Sequence, residues 1–389
     1  MSLQEKSIAI IGAGNMGQVL LKMALGKGAR VFLFDKNPDI LSAISLEYIE
    51  LVSSGRLNLK VAQESTATIN IPGSIDAIII AISWHEARLL ITALASQDKC
   101  PVIVLGRPDL EDPLIPSMAN RKYPLLLGTG LEPGLMESIS SHILARHPQS
   151  HTIESYCGGL PDAPVGPFGY RLTFGRRLPI DPRLALTIKQ RQRLSVPRFA
   201  EVKHQYFPTI GLLEAFDDAM LATTADHFQK HVVNFAQNTL RWPGFSHAAR
   251  ACQVLGLLSP RKIKIGELHT SVRELTDTLL TTTSHSDETT SEDFVLCKWQ
   301  HINQLGEKGE LVIKTSQPEA NISAMAFMTC AFAITATQVL FEMELAGIIY
   351  PHEKPATLIA LKFLQEITTS QHVEITTSGT LTSIITEAA

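Results

Sequence analysis

Pairing signals for cysteine are missing from this sequence. Its five cysteines, Cys100, Cys157, Cys252, Cys297 and Cys330, are odd in number and contain no CxxC spacing. That excludes a disulfide framework and a zinc site of the CxxC type, and points to a reducing cytoplasm. A surplus of positive charge is missing too. The net charge of -4 leaves no Lys/Arg excess to neutralise phosphate, and no lysine-rich arm or basic amphipathic face occurs, so neither nucleic acid nor a membrane surface is expected as a partner. The N-terminus shows a strand pattern where a signal peptide would show a basic start and a leucine-rich core. Residues 323–350 are largely apolar, but Thr329, Thr335, Thr337 and Gln338 interrupt them and Glu342 and Glu344 close them. They fall short of the ~18 strongly apolar residues that a spanning helix needs, and a buried or interface helix is expected there.

What is present begins with size. A chain of 389 residues with 45% apolar content exceeds one ordinary hydrophobic core, so two domains are expected. Residues 7–35, "SIAIIGAGNMGQVLLKMALGKGARVFLFD", set out a mononucleotide-binding βαβ unit: an apolar strand, the GxGxxG turn, a helix-spaced apolar pattern, a glycine stop and a second strand ending in Asp35. Gly12 permits the tight turn, Gly14 lets backbone N–H groups approach a pyrophosphate, and Gly17 lets helix and strand pack closely. Asn15 and Met16 open the helix, whose N-terminus faces the anion with partial positive charge. Asp35 is placed to accept hydrogen bonds from ribose hydroxyls and to repel a 2′-phosphate, which favours NAD; Lys36 beside it leaves NADP possible. Two further apolar runs, 75–83 and 100–106, flank a helical pattern at 85–95. They extend a Rossmann-type doubly wound parallel sheet, at whose strand ends Ala81, Ile82 and Ser83 would touch the cofactor. His85 reads as a surface or cap residue.

The second half is less regular. "LLLGTGLEPGLMESISSHIL" runs from a strand through a glycine-proline turn into an amphipathic helix; Glu132 on the turn is either a functional acid or the cap of that helix. "YCGGLP" follows, and Gly158, Gly159 and Pro161 suit a sharp turn with accessible backbone. Cys157 within it is either a small buried hydrophobe or a functional thiol. "FVLCKWQHI" and "GELVIKT" flank "NQLGEKGE", a hairpin signal for an antiparallel sheet, and residues 281–293 have the composition of a solvated loop. His227 and His231 share a helix face, but without a third ligand no metal is expected.

The ordered combination of GxGxxG, "GLEPGL", "YCGGLP", "GYRLTF", "LLEAF" and "NTLRWPGF" resembles the saccharopine dehydrogenase-like oxidoreductases over roughly residues 7 to 350, and most the lysine 6-dehydrogenase and saccharopine reductase branch. The resemblance implies a Rossmann domain at 1–128, joined by the helix at 318–350. It also implies an α+β substrate and dimerisation domain at 129–317 on a mostly antiparallel sheet, a C-terminal segment at 351–389, and a homodimer. The implied activity is NAD(P)-dependent hydride transfer at a C–N bond of an amino-acid or diamine-derived substrate. Glu132 and Cys157 match the catalytic acid and cysteine. Gly158, Gly159, Arg171, Glu214 and Arg241 match the substrate site; each arginine is either a carboxylate clamp or paired to an internal acid such as Glu214 or Asp217. Two departures stand out: Ala222 where relatives carry an arginine, and "GRPDLEDP" where they carry an acidic-glycine signature. A carboxynorspermidine dehydrogenase-like reductase and a dinucleotide sensor without turnover are the other readings.

Overall fold

The computed structural model describes residues 3–62, 71–95, 98–108, 114–170, 179–218, 220–285 and 292–384. The N-terminal part alternates β1 (Ser7–Ile11), α1 (Asn15–Gly26), β2 (Arg30–Asp35), α2 (Pro38–Glu47), α3 (Ile49–Ser53), β3 (Leu57–Val61), β4 (Ala77–Ile80), α4 (Trp84–Ala95), β5 (Val102–Val104), α5 (Leu114–Ser117) and β6 (Leu125–Leu126). Strands made of such continuous apolar runs must be covered on both faces, and β1, β4 and β5 are buried almost throughout. After α6 (Leu135–Arg146) the chain enters β7 (Ser150–Pro161), β8 (Leu184–Lys189), β9 (Gln192–Pro197), β10 (Val202–Phe207), β11 (Gly211–Asp217), α7 (Ala222–His231), β12 (Asn234–Arg241) and α8 (Phe245–Val254). It continues through β13 (Lys262–Ile265), β14 (Leu268–Ser271), α9 (Val272–His285), β15 (Asp293–Asn303), β16 (Lys308–Ser316), α10 (Ala324–Leu340), β17 (Ile348–Ile349), α11 (Lys354–Ile367) and β18 (Val373–Gly379).

Two large sheets result. One is a seven-stranded parallel sheet in the order β17-β6-β5-β4-β1-β2-β3, the Rossmann-type arrangement. The other has nine strands, with β10-β11-β12-β7-β15-β16-β18 as its main path and β8 and β9 to one side. Its pairings are antiparallel except for β12 with β7. The C-terminal third returns to both: β17 pairs with β6 of the first sheet, and β18 with β16 of the second. Between the sheets, α10 lies against α1, where Cys330 Sγ donates to the Met16 carbonyl at 3.3 Å. A single apolar cluster runs from Ile8 and Leu20 through Ile334 and Phe363 to Trp299, so the two halves share one core.

Three expectations need correction. "YCGGLP" is not a turn: it is the straight end of β7, a central strand paired on both sides. The helix after Glu132 is not amphipathic, since α6 is buried continuously from Leu135 to Leu144. And α9 stays helical to His285, into the stretch expected as a loop, of which 286–291 lie outside the described residues. Among the described residues no helix is long and apolar enough to cross a membrane.

Candidate active site

The glycine-rich turn is built as a dinucleotide cradle. Gly12 adopts φ +104°, where side chains are strained, and a Cβ there would press on Ile82 Cγ2 at 2.7 Å. A Cβ on Gly17 would overlap the Gly12 carbonyl, whereas one on Gly14 would meet nothing within 4 Å. Gly14 and Asn15 are therefore the exposed lip of the turn, and Gly12 and Gly17 its packed base. No side chain caps α1 and no acid sits in its first turn, so its leading N–H groups stay available to an anion. Asp35 Oδ2 accepts the Ala13 N–H at 2.6 Å and Oδ1 accepts that of Asn37 at 2.8 Å, which fixes the carboxylate against the turn. Lys36 is drawn aside by Glu86, Nζ to Oε1 2.9 Å. Ala81 donates to the Ile11 carbonyl at 2.8 Å, Ile82 lies over the glycine turn, and Ser83 immediately precedes α4 with its hydroxyl 3.2 Å from Glu86 Oε2. This set fits a nicotinamide dinucleotide: open space at Gly14, free N–H donors and an oriented acid.

Facing the carboxyl ends of these strands is a buried polar cluster. On β12, strand alternation puts Gln237, Thr239 and Arg241 on one face. Cys157 is the in-register neighbour of Thr239 on β7, and Cys297 that of Cys157 on β15. The two sulfurs lie 4.0 Å apart. That contact and burial hold the Cys157 thiol well above its ordinary pKa, with Glu132 among the groups acting on it. Gly158 and Gly159 are crowded by protein: an added Cβ would meet the Leu240 carbonyl at 2.7 Å and Met325 Cε at 2.8 Å. Close packing of β12 and α10 therefore accounts for both glycines, in place of the expected substrate approach.

Glu132 occupies the turn before α6, yet it does not cap that helix. Glu137 does: its Oε2 accepts the Gly134 N–H at 2.7 Å while Oε1 accepts Gln237 Nε2 at 2.8 Å. Glu132 is left with Oε1 sealed from solvent and unpartnered. Burial, reinforced by the nearby Asp218 and Glu137 charges and only partly offset by Arg107 and Arg183, pushes its pKa up to about 8. Asp218, one residue beyond β11, is its opposite. Burial works against its charge, but Arg198, Arg183 and Arg107 outweigh that and hold it far below the usual carboxylate range. Arg183 Nη2 reaches Asp218 Oδ1 at 2.6 Å; Arg198 Nη2 and Thr239 Oγ1 reach Oδ2 at 2.8 and 2.5 Å.

Arg241 is 5% exposed and lies over Tyr170 and Phe245, Cζ to centroid 4.4 and 5.4 Å. Its Nη1 donates to the Leu240 carbonyl, its Nε has no partner, and among the described residues no carboxylate pairs with it. Glu214 is not that partner: its oxygens accept the Gly244 and Ser246 N–H groups at the start of α8. Asp217 Oδ1 is buried and unpartnered. Arg171 lies outside the described residues. His352 lies beside His227, itself beside His231, with tilted rings and centroids 5.0 Å apart in each pair. No group of three or more His, Cys, Asp or Glu among the described residues could hold a metal ion.

Sequence reasoning missed Arg107, Glu137, Arg183, Arg198 and Asp218. Two signals were present: "GRPDLEDP", which registered as a departure and contains Arg107, and the offset of Glu137 three residues after Gly134, which fits a capping box.

A dinucleotide cradle facing a second domain that presents a shielded acid is the plan of a two-domain, nicotinamide-linked oxidoreductase. A family profile described as "Saccharopine dehydrogenase C-terminal domain" matches residues 130–371, and one described as "NADP oxidoreductase coenzyme F420-dependent" matches residues 7–105. The chain belongs to the saccharopine dehydrogenase family. Its fold is similar to that of saccharopine dehydrogenase (L-Glu forming) from Saccharomyces cerevisiae, with TM-score 0.74 at 14% identity over 96% of this chain and 99% of that one. Weaker likenesses are to a mutant meso-dapdh from Clostridium tetani E88, with TM-score 0.43 at 11% identity over 94% of this chain and 100% of that one, and to a probable dehydrogenase from Thermotoga maritima, with TM-score 0.39 at 10% identity over 91% and 94%.

Proposed function

We propose that the chain is an NAD-dependent dehydrogenase moving hydride at a C–N bond of an amino-acid substrate, of the lysine 6-dehydrogenase or saccharopine dehydrogenase type. The observation that supports it most is Glu132, a shielded acid with no hydrogen bond and a pKa near 8. Such a group exchanges protons close to neutral pH, where an ordinary glutamate is fully ionised. The nicotinamide, when bound, supplies the hydride acceptor or donor. Gly12, Gly14 and the start of α1 would hold its pyrophosphate and Asp35 a ribose. NAD is favoured over NADP because Asp35 is fixed at the turn while Lys36 is engaged by Glu86.

The remaining roles follow from chemistry. Glu132 takes a proton from the substrate nitrogen or an attacking water in oxidation and returns one in reduction. Cys157 stays a neutral thiol and, with Cys297, forms a dry wall that preserves the raised pKa. Arg241, held against two rings with its buried Nε unpartnered, receives a carboxylate. A diamine-derived polycation is poorly served here, because guanidinium groups outnumber the acids held ionised.

A panel of amino acids and diamine-derived imines, followed by NADH and NADPH absorbance, tests the assignment. Turnover of at least one carboxylate-bearing amine or imine is expected. Measurable NADH binding with no turnover across the panel would leave a dinucleotide sensor as the better description.

A further inference from the structure

A cavity of about 360 Å³ lies away from the catalytic groups, with the size of a small-molecule pocket. Both domains wall it. The first contributes one flank of α1, with Asn15, Gln18 and Lys22 at helical spacing, and the far end of α2, with Glu47 and Tyr48. The second contributes Asp293 at the start of β15 and the connector at 317–323 that leads into α10. This is not the ribose seat. Asp35 stands at the carboxyl end of β2, and the ten residues of α2 carry the chain about 15 Å onward to Glu47. Asn15, on the lip of the glycine turn, is where cavity and dinucleotide cradle meet.

The lining selects by charge. Lys22 is its cation, and Glu319 already holds it, Nζ to Oε2 2.5 Å. That pair cancels, so Glu47 and Asp293 leave the cavity with two negative charges in excess. Asp293 is fixed in place, since its Oδ1 accepts the Ala324 N–H at 2.8 Å. A metal ion does not suit these acids, because no group of three His, Cys, Asp or Glu among the described residues could hold one. The floor is apolar, from Val19, Ile44 and Ile322, and the half-buried Tyr48 adds an aromatic ring, which attracts cations. Separated carboxylates over an aliphatic floor suit an organic cation with an aliphatic stem and more than one ammonium group.

The cavity also adjoins elements that build the reaction centre. Ser323 caps α10, its Oγ accepting the Ala326 N–H at 3.1 Å. Within the next two turns Met325 packs where a Cβ on Gly159 would meet it at 2.8 Å, and Thr329 lies where one on Gly130 would meet it at 3.6 Å. Those glycines flank Cys157 and Glu132. We propose that the cavity is an effector site for an aliphatic diamine or polyamine, which bridges α1 and α2 to the start of α10. A bound amine neutralises carboxylates beside the helix whose N-terminus faces the pyrophosphate, so it strengthens dinucleotide binding. Over roughly 10 Å of screened, water-like medium the gain is about two- to fivefold. Linkage requires NADH to strengthen amine binding by the same factor. This coupling rests on the dinucleotide cradle; the amine site does not.

The test titrates the full chain calorimetrically with 1,4-diaminobutane, butylamine and butyrate at fixed ionic strength, with and without NADH, for wild type, Glu47→Gln and Glu47→Lys. Glu47 is exposed and outside the catalytic and dinucleotide groups, so both variants should fold. Wild type should bind one diaminobutane per chain, about threefold or more tighter than butylamine, and should not bind butyrate. Glu47→Gln should lower that preference and Glu47→Lys abolish it. Glu47→Lys, which installs a cation permanently, should by itself raise NADH affinity. Binding of several diamines per chain overturns the proposal, since it marks general attraction to an acidic surface. Affinity unchanged in Glu47→Lys overturns it too, as does diamine binding lost in Glu132→Gln alone, which would place the amine in the catalytic site. Saturable binding that leaves NADH affinity unmoved overturns the effector role. If NADH does not bind at all, the dinucleotide reading falls, and titration of the free chain still confirms or refutes the amine site.

Discussion

Replacing Glu132 by glutamine removes a proton that the folded chain keeps and the unfolded chain releases. In the fold this carboxyl titrates at about 8, against an ordinary value of 4.5. Between those values the native state holds one more proton than the unfolded state, so stability falls as pH rises, at about 1.4 kcal/mol per unit. The contribution is complete below the ordinary value and lost as pH passes the raised one, about 5 kcal/mol over the span. Glutamine has nothing to titrate. Urea unfolding at pH 5, 6.5 and 8 should therefore show Glu132→Gln losing less stability than wild type with rising pH, and becoming the more stable protein at pH 8. The same proton governs rate: with only about one-tenth of Glu132 ionised at pH 7, kcat/KM for amine oxidation should climb about tenfold per unit toward pH 8 and then level. Glu132→Gln should lose that limb and about 10²- to 10⁴-fold in rate. Parallel stability slopes for the two proteins, together with an unaltered rate limb, would refute the assigned pKa.

Asp218→Asn leaves Arg183 and Arg198 without their anion and should cost about 3–5 kcal/mol by denaturant titration. The stability Asp218 confers is present above the ordinary carboxylate range and fades as pH falls toward its depressed folded value, the reverse of the Glu132 dependence. Gly14→Ala should leave the melting temperature of the free protein nearly unchanged but weaken NADH binding, because its Cβ enters open space where a pyrophosphate would lie. Gly17→Ala should instead lower the melting temperature, since its Cβ overlaps the Gly12 carbonyl; equal effects of the two would contradict the lip-and-base description. Asp35→Ala should narrow the preference for NAD over NADP in paired titrations, and an unmoved ratio would release Asp35 from that role.

The dinucleotide half was legible because its signals are local. Glycine spacing, strand runs and Asp35 all fall within residues 7–35, and the backbone there obeys them one by one. "YCGGLP" misled for a physical reason: glycines beside a proline are equally the mark of a turn and of a strand too crowded for a Cβ. The crowding comes from Leu240 and Met325, far along the chain. Asp218 was illegible for the same reason. Its partners Arg183, Arg198 and Thr239 each come from a different stretch, and no spacing rule relates them. Glu132 lay open to two readings until Glu137 proved to be the cap, a capping-box offset visible in "GLMES" but masked by the more conspicuous acid on the turn.

The return of the chain to its first sheet has a consequence for synthesis. Residues 7–126 provide six of the seven parallel strands, but β6 keeps a bare edge, and α1 a bare apolar flank, until α10 and β17 leave the ribosome more than 200 residues later. At ~5–20 residues per second that is roughly 10–45 s during which a nearly complete nucleotide-binding sheet carries an unpaired strand. Nascent chains stalled before residue 340 should therefore be sticky, and more dependent on chaperones than the finished protein.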